Sequence, residues 1–350
     1  MKASRLLALV GVYLSFSVCT QAQVPGASWQ SILEPDGLPR LDPSVLAIGD
    51  PSSRVSGAPG SFTIVNSSCH AYPPEQLRRR IVDIAVQEWA WFGFLVDDLH
   101  GTSPPTPGNT AIRRLFLPLN PDEVARVAAT VSGYWAAIPN SQWILERQNE
   151  AWKQPSGLAS RWRDPWSAAF ISWVMCESGI SEQAQFQRAI AHHSYIDQAI
   201  RARDGRAPES LFVAYDPGET EIEPGDLICS GLRPVYRSLA QRRAQLGEGA
   251  RTHCDIVIAV DVEKSRILTI GGNVRASVRM KIFPAAVQER PYLAPLPTNR
   301  YIFAHLKLKT ASIAPDAWQQ SPSLQGLSCE AMPEDGASIA AIPRLRNLLC

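Results

Sequence analysis

The stretch DPWSAAFISWVM, residues 164–175, carries a serine where a helix should begin. Asp164 is a good N-cap residue and Pro165 suits the first helical position, where its missing N–H costs nothing, so Ser167 falls in the first turn. Its hydroxyl there lies beside backbone N–H groups with no intrahelical acceptor, at the positive end of the helix dipole. That setting suits an oxygen nucleophile whose attack builds charge nearby, provided another part of the chain supplies a base. His253 opens the run THCDIVIAV, and Asp255, two residues on, shares its face of an extended strand. Two thiols compete with the serine. Cys254 points to the face opposite His253, and Cys176 lies about two and a half turns along the helix from Ser167 on its other side, so both read as structural. His192 and His193 lie in AHHSYIDQAI, where His193 falls on the apolar side of a helix and is a candidate to line a cleft as well as a core residue. Glu88 sits on an apolar helix face, where a buried carboxylate needs a partner; an ion-pair role comes ahead of an acid's role. Trp166, beside Ser167, is a candidate cleft wall.

The elements that must position these residues divide in two. Leu77, Ile81, Ile84 and Glu88 share one helix face, with Val82, Val86 and Trp89 on the next, which predicts a largely buried helix. A second is signalled by NPDEVARVAATVSGYW, capped by Asn120 with Pro121 first. The serine helix is the third, closing near Gly179. The fourth is predicted over 182–203, with Phe186, Ile190, His193, Ile196 and Ile200 along one side. After Ala207 the period shortens: SLFVAYDP, GDLICSG, CDIVIAVDV, RILTIGGN, SVRMKIF and YIFAHLKL read as strands, with a hairpin turn at 263–265. Helices first and an antiparallel sheet afterwards define an α+β domain. Its expected limits are 66–309, between a Pro/Gly/Ser-rich arm at 23–65 and a Ser/Pro/Ala-rich tail at 310–350.

The chain has 350 residues, a net charge of +1 and 45% hydrophobic residues, a balance that fits a folded core and argues against a disordered or nucleic-acid-coating protein. Residues 1–22 read as a signal peptide: Lys2 and Arg5, an apolar run, then Thr-Gln-Ala before the cut. A lipid-bearing Cys19 is the less favoured alternative, because Phe-Ser-Val is a poor context for it. No later stretch reaches the ~18 uninterrupted apolar residues of a membrane span. Export would leave Cys69, Cys176, Cys229, Cys254, Cys329 and Cys350, an even set that predicts disulfides in a periplasmic or secreted protein. With no C-x-x-C pair, no metal is expected.

Four blocks stand in a telling order: PWSAAFISWV, EPGDLICSG, THCDIVIAV and IGGNV. They resemble the blocks of the papain-like hydrolases of the CHAP and NlpC-like type, bacterial enzymes that cut amide bonds in peptidoglycan. With its helical part included, the chain is similar to a bacterial domain-of-unknown-function family related to them. The resemblance implies a papain-like domain with helices packed on a C-terminal antiparallel sheet, Ser167 as nucleophile, His253 as general base within hydrogen-bond reach of it, and Asn273 orienting the imidazole. Asn273, after Gly271-Gly272, reads equally as a turn residue in left-handed backbone, and Asp255 is placed to take over its role. The departure from the pattern is serine for the usual cysteine: a hydroxyl is not ionised by helix and imidazole alone and must lose its proton during attack. The same resemblance makes neighbours of the strands holding Cys229 and Cys254 and favours that disulfide. It implies an exported hydrolase acting on peptidoglycan or wall-derived peptide without a cofactor. The alternative is a non-catalytic papain-like module that binds wall peptides or a protein partner.

Overall fold

The computed structural model describes residues 38–101, 121–155, 157, 162–298 and 300–325. The signal segment 1–22 with Cys19, the cap Asn120, Cys329, Cys350 and the tail beyond 325 lie outside the described residues. Among the described residues, seven helices run α1 (Pro43–Leu46), α2 (Pro74–Trp91), α3 (Pro121–Ala136), α4 (Gln142–Trp152), α5 (Ser167–Ser178), α6 (His192–Arg203) and α7 (Leu239–Arg243). The strands are β1 (Val55–Ser56), β2 (Thr63–Ile64), β3 (Val96–Asp98), β4 (Phe212–Tyr215), β5 (Leu227–Arg233), β6 (Arg251–Asp261), β7 (Arg266–Val274), β8 (Ser277–Ala286), β9 (Ala294–Pro295) and β10 (Ile302–Leu308).

All six segments expected as strands join one sheet in the order β3-β8-β7-β6-β5-β10-β4, with β9 added beside β8. The class is mixed α+β, but the sheet is not purely antiparallel: β3 pairs parallel to β8, Val96 opposite Met280. Val-Asp-Asp has no apolar alternation to announce a strand; the open edge of β8 makes it one by supplying backbone partners. Alternation along the other strands divides the sheet's two faces. Leu227, Cys229, Cys254, Ile256, Ile258, Leu268, Ile270 and Met280 face the helices and share their core. Ile228, Val257, Ile267 and Phe283 form a smaller apolar cluster on the opposite face. Helix α5 is buried along its whole length, between α2, α3 and the strands β6 and β7, which explains a sequence that is apolar on every side.

Two boundaries differ from expectation. The fourth helix starts at His192, with Ala191 in extended backbone before it, instead of at 182. Residues 181–191 are held as a loop by side chains: Gln198 accepts from Gln187 N–H and donates to the carbonyls of Gln183 and Ala184, while Arg188 donates to those of Ala137, Ile180 and Ser181. The segment 38–65, read as part of an arm, packs into the domain. Leu46, Ile48 and Phe62 enter the main core, and Arg54 forms a buried pair with Glu177 at 2.6 Å. Trp318 and Leu324, in the stretch read as tail, are buried in the same core, Trp318 edge-on to Trp89.

Disulfides join Cys229 to Cys254, as favoured, and Cys69 to Cys176. The first links directly opposed residues of β5 and β6, Cα to Cα 4.1 Å. Both rival thiols are thereby consumed. Two disulfides are compatible with a periplasmic or extracellular protein. Among the described residues no helix is long and apolar enough to cross a membrane.

Candidate functional site

Ser167 is the first residue of α5; Trp166 precedes it as the cap, and no side chain caps the helix. Asp164, expected in that role, instead turns its carboxylate to Arg147, whose Nε lies 3.1 Å away. The first N–H groups of α5 therefore face the space beside Ser167 without an intrahelical acceptor. That space is a cavity of about 520 Å³, lined among others by Ser167, Ala168, His192, Ser230, His253, Asp255, Asn273 and Lys281.

The imidazole bonded to Ser167 is His192, with Nε2 2.5 Å from Oγ; the expected bond to His253 is not formed. The reason is the helix break at Ala191, which makes His192 the first residue of α6 and aims its ring at the start of α5. Its other nitrogen, Nδ1, receives the Cys254 backbone N–H at 3.2 Å and bonds to the Tyr195 hydroxyl. An amide N–H can only donate, so Nδ1 is an acceptor and the neutral ring carries its proton on Nε2. His192 thus donates to Ser167 Oγ, leaving the serine's own proton free to go elsewhere. Burial, and then the neighbouring His253, push His192 well below the usual imidazole range, so it is neutral. Burial raises Tyr195 and keeps it a hydroxyl.

His253 lies on the same cavity wall, its ring centroid 5.2 Å from that of His192. Its Nε2 is 2.9 Å from Asp255 Oδ1 and 3.0 Å from Lys281 Nζ, and Lys281 also donates to both Asp255 oxygens at 2.8 and 2.9 Å. Burial alone would raise the Asp255 carboxyl; Lys281 and His253 override it and hold the group far below the carboxylate range. His253 is lowered by burial and then by the Lys281 charge. Both neutral tautomers of His253 have a partner in place. With the proton on Nε2 the ring donates to Asp255; with it on Nδ1, Nε2 accepts from Lys281.

The paired glycines make this packing possible from both faces. A Cβ on Gly271 would fall 1.9 Å from Asp255 Oδ1 and 3.3 Å from His253 Nε2. One on Gly272 would fall 2.5 Å from Phe170 Cβ, where α5 crosses β7. Gly271 makes room for the charged cluster and Gly272 lets the serine helix approach the sheet.

The remaining candidates scatter. Asn273 lines the cavity in left-handed backbone, φ 54°, but Asp255 is the group that holds the His253 ring. Trp166 is not a cleft wall: it is 2% exposed, packed between Phe92 and Tyr134. Glu88 is the ion-pair member, with Arg40 Nε at 2.6 Å and a bond from the Tyr134 hydroxyl, and it is remote from the cavity lining. His193 bonds through Nδ1 to the Ala250 carbonyl at 3.0 Å and so ties α6 to a loop on the cavity rim. Sequence reasoning passed over two site residues. A helix running from 182 would turn His193 inward, whereas the actual start at His192, after extended Ala191, aims His192 at Ser167. Lys281 alternates with Met280 and Ile282, a pattern that normally marks a solvated strand face. Among the described residues no group of His, Cys, Asp and Glu has the arrangement of a metal site.

No curated protein and no solved structure matches this chain. Residues 124–292, which contain Ser167, His192, His253, Asp255 and Lys281, match the model of a bacterial family described as an uncharacterized protein conserved in bacteria (DUF2272).

Proposed function

We propose that the cavity is the active site of an exported papain-like hydrolase, related to the CHAP and NlpC-like enzymes, that cuts an amide or peptide bond in peptidoglycan or a wall-derived peptide. The observation that carries this reading is the serine at an uncapped helix start, facing a cavity it shares with an imidazole backed by a buried Asp–Lys pair. Ser167 Oγ attacks the carbonyl carbon, and its proton passes to His253 Nδ1, the nitrogen not engaged by Asp255 and Lys281. The carbonyl oxygen takes up the negative charge and accepts from the first N–H groups of α5. As the C–N bond breaks, His253 returns the proton to the leaving amine, and water then releases the acyl group from Ser167 by the same steps. His192 is a positioning residue: its Nε2–H holds Oγ and stabilises the charge growing there during attack. Asp255 takes the orienting role that the sequence pattern gave to Asn273.

A serine-directed fluorophosphonate tests this reading. It should label wild type at Ser167, and Ser167→Ala and His253→Ala should each lower turnover of a wall-peptide substrate by about 10³ or more. A second reading has an observation of its own. The bonded imidazole offers Ser167 a donor and not a base, which suits a non-catalytic module binding wall peptides or a protein partner. It requires that wild type is never labelled and that affinity survives Ser167→Ala.

A further inference from the structure

The charges lining the cavity are not balanced within it. Asp97 holds Arg275 at 3.3 Å and Asp255 holds Lys281 at 2.8 Å. Arg251 and Arg300 line the same cavity, are exposed, and pair with no carboxylate among the described residues. Their placement is ordered by the sheet. Ile302 stands opposite Ser230, and Ser230 opposite His253, so one row crosses β10, β5 and β6 beside the site. Since β10 and β6 each run antiparallel to β5, they run the same way. Arg300 precedes Ile302 by two residues and Arg251 precedes His253 by two, so the two guanidinium side chains leave the same end of the row, on either side of β5. Along β6, Arg251 is two residues, about 7 Å, from the row, while Arg300 lies in the bend just before β10, on the far side of β5, where the two flanking strands are separated by about 10 Å. Two long side chains reach a common anion across that gap, and the guanidinium fork matches a carboxylate. Between and beside them Leu232 (37% exposed) and Ile190 (46% exposed) offer apolar wall.

We infer that Arg251 and Arg300 form an anion subsite, and that the substrate is a peptide carrying a free carboxylate within about two residues of the scissile bond, a separation set by the ~7 Å offset. This rests on the peptide-hydrolase reading for what is cut, but the subsite's preference is a matter of binding alone. The carboxylate comes either from a chain terminus or from an acidic side chain.

Calorimetry on the Ser167→Ala protein separates these, because no turnover intervenes. The probes are N-acetyl-Ala-Ala as the free acid, N-acetyl-Glu-Ala-amide, N-acetyl-Ala-Ala-amide and inorganic phosphate. At least one acid should bind about tenfold more tightly than the neutral amide. Arg300→Gln and Arg251→Gln should each shrink that ratio to about twofold or less, as should added salt. Both positions are exposed, so the variants should keep the circular dichroism of the parent. The inference is overturned if neither acid binds saturably at millimolar concentration, if acids and amide bind alike, if the preference survives both substitutions, or if phosphate binds more tightly than either acid. Absence of fluorophosphonate labelling in wild type would remove the hydrolase reading and leave this preference standing.

Discussion

Gly271→Ala probes the charged cluster through one methyl group. Gly271 lies one step beyond the Ile256–Ile270 pair in the β6–β7 register, opposite Asp255. Its φ is not in the left-handed region, so alanine adds no backbone strain there, and the whole effect comes from space. The new Cβ would sit 1.9 Å from Asp255 Oδ1, so the oxygen has to retreat by about 1 Å to reach even the closest separation real Cβ atoms show. A shift of that size takes the 2.8 Å Lys281 contact and the 2.9 Å His253 contact beyond hydrogen-bond range. Asp255 and Lys281 are 2% and 7% exposed, and breaking a buried pair costs roughly 3–5 kcal/mol. Alanine's smaller unfolded-state entropy offsets up to about 1 kcal/mol. The net expectation is a loss of about 2–4 kcal/mol in urea unfolding, with fluorophosphonate labelling lost as His253 is released. Asp255→Ala supplies the control: with the oxygen gone, adding Gly271→Ala should cost under about 1 kcal/mol, so the double-mutant cycle is strongly non-additive. A wild-type background cost below about 1 kcal/mol, or equal costs in both backgrounds, would refute the packing argument.

Two further expectations concern stability. His192 and His253 both have folded values below the ordinary imidazole value near 6.5, so the unfolded chain binds protons that the folded one refuses. Stability is then full above about pH 6.5 and falls as pH drops below it, by up to about 1.4 kcal/mol per pH unit for each histidine, until the folded values are passed. Asp255, lowered in the fold, contributes stability that is present above the ordinary carboxylate value and is lost only as pH falls through and below it, so loss between about pH 6.5 and pH 5 belongs to the imidazoles. Urea midpoints that stay level over that interval would contradict this. Serine pairs replacing each disulfide should rank by the loop closed. Cys229–Cys254 spans 25 residues and Cys69–Cys176 spans 107, giving about 3.5 and 4.8 kcal/mol on the chain-entropy model. The reverse order in urea unfolding would show that native-state effects outweigh loop length.

The parts of the fold that announced themselves were those where one strand or helix carries its own pattern. Ile-Val-Ile and Ile-Leu-Thr-Ile alternate or run apolar whatever surrounds them, and six strands follow from such runs. Gly179 closes α5 with φ 116°, left-handed backbone that glycine adopts without a Cβ penalty, and a Cβ there would also fall 2.8 Å from Tyr72. What stayed hidden depends on partners remote in the chain. Val96–Asp98 is a strand because β8 has a free edge, and residues 181–191 are a loop because Gln198 and Arg188 satisfy its backbone groups. The segment 38–65 looks like a linker by its prolines and glycines, yet Arg40 and Arg54 find buried carboxylates in α2 and α5. Composition registers turns, and it does not register what a turn packs against.

The site divides along the same line, and the division bears on chemistry. Ser167, His253 and Asp255 were visible because a helix start and a two-residue strand spacing are local facts. The state of the serine is set elsewhere, by a backbone amide. Cys254 N–H donates to His192 Nδ1 whatever side chain residue 254 carries, and it is held there because β6 is pinned to β5 at that residue by the Cys229–Cys254 bridge. Through that one bond the sheet assigns the His192 proton to Nε2 and points it at Ser167 Oγ, so His192 is a donor to the serine and not its base. A serine in this fold therefore differs from a cysteine in more than its sulfur. A thiolate needs only charge stabilisation, which the helix start and a donating imidazole both supply. A hydroxyl needs a base aligned at the moment of attack, and on the proposed hydrolase reading that base is His253 Nδ1, free to accept only in the tautomer whose Nε2–H is donated to Asp255.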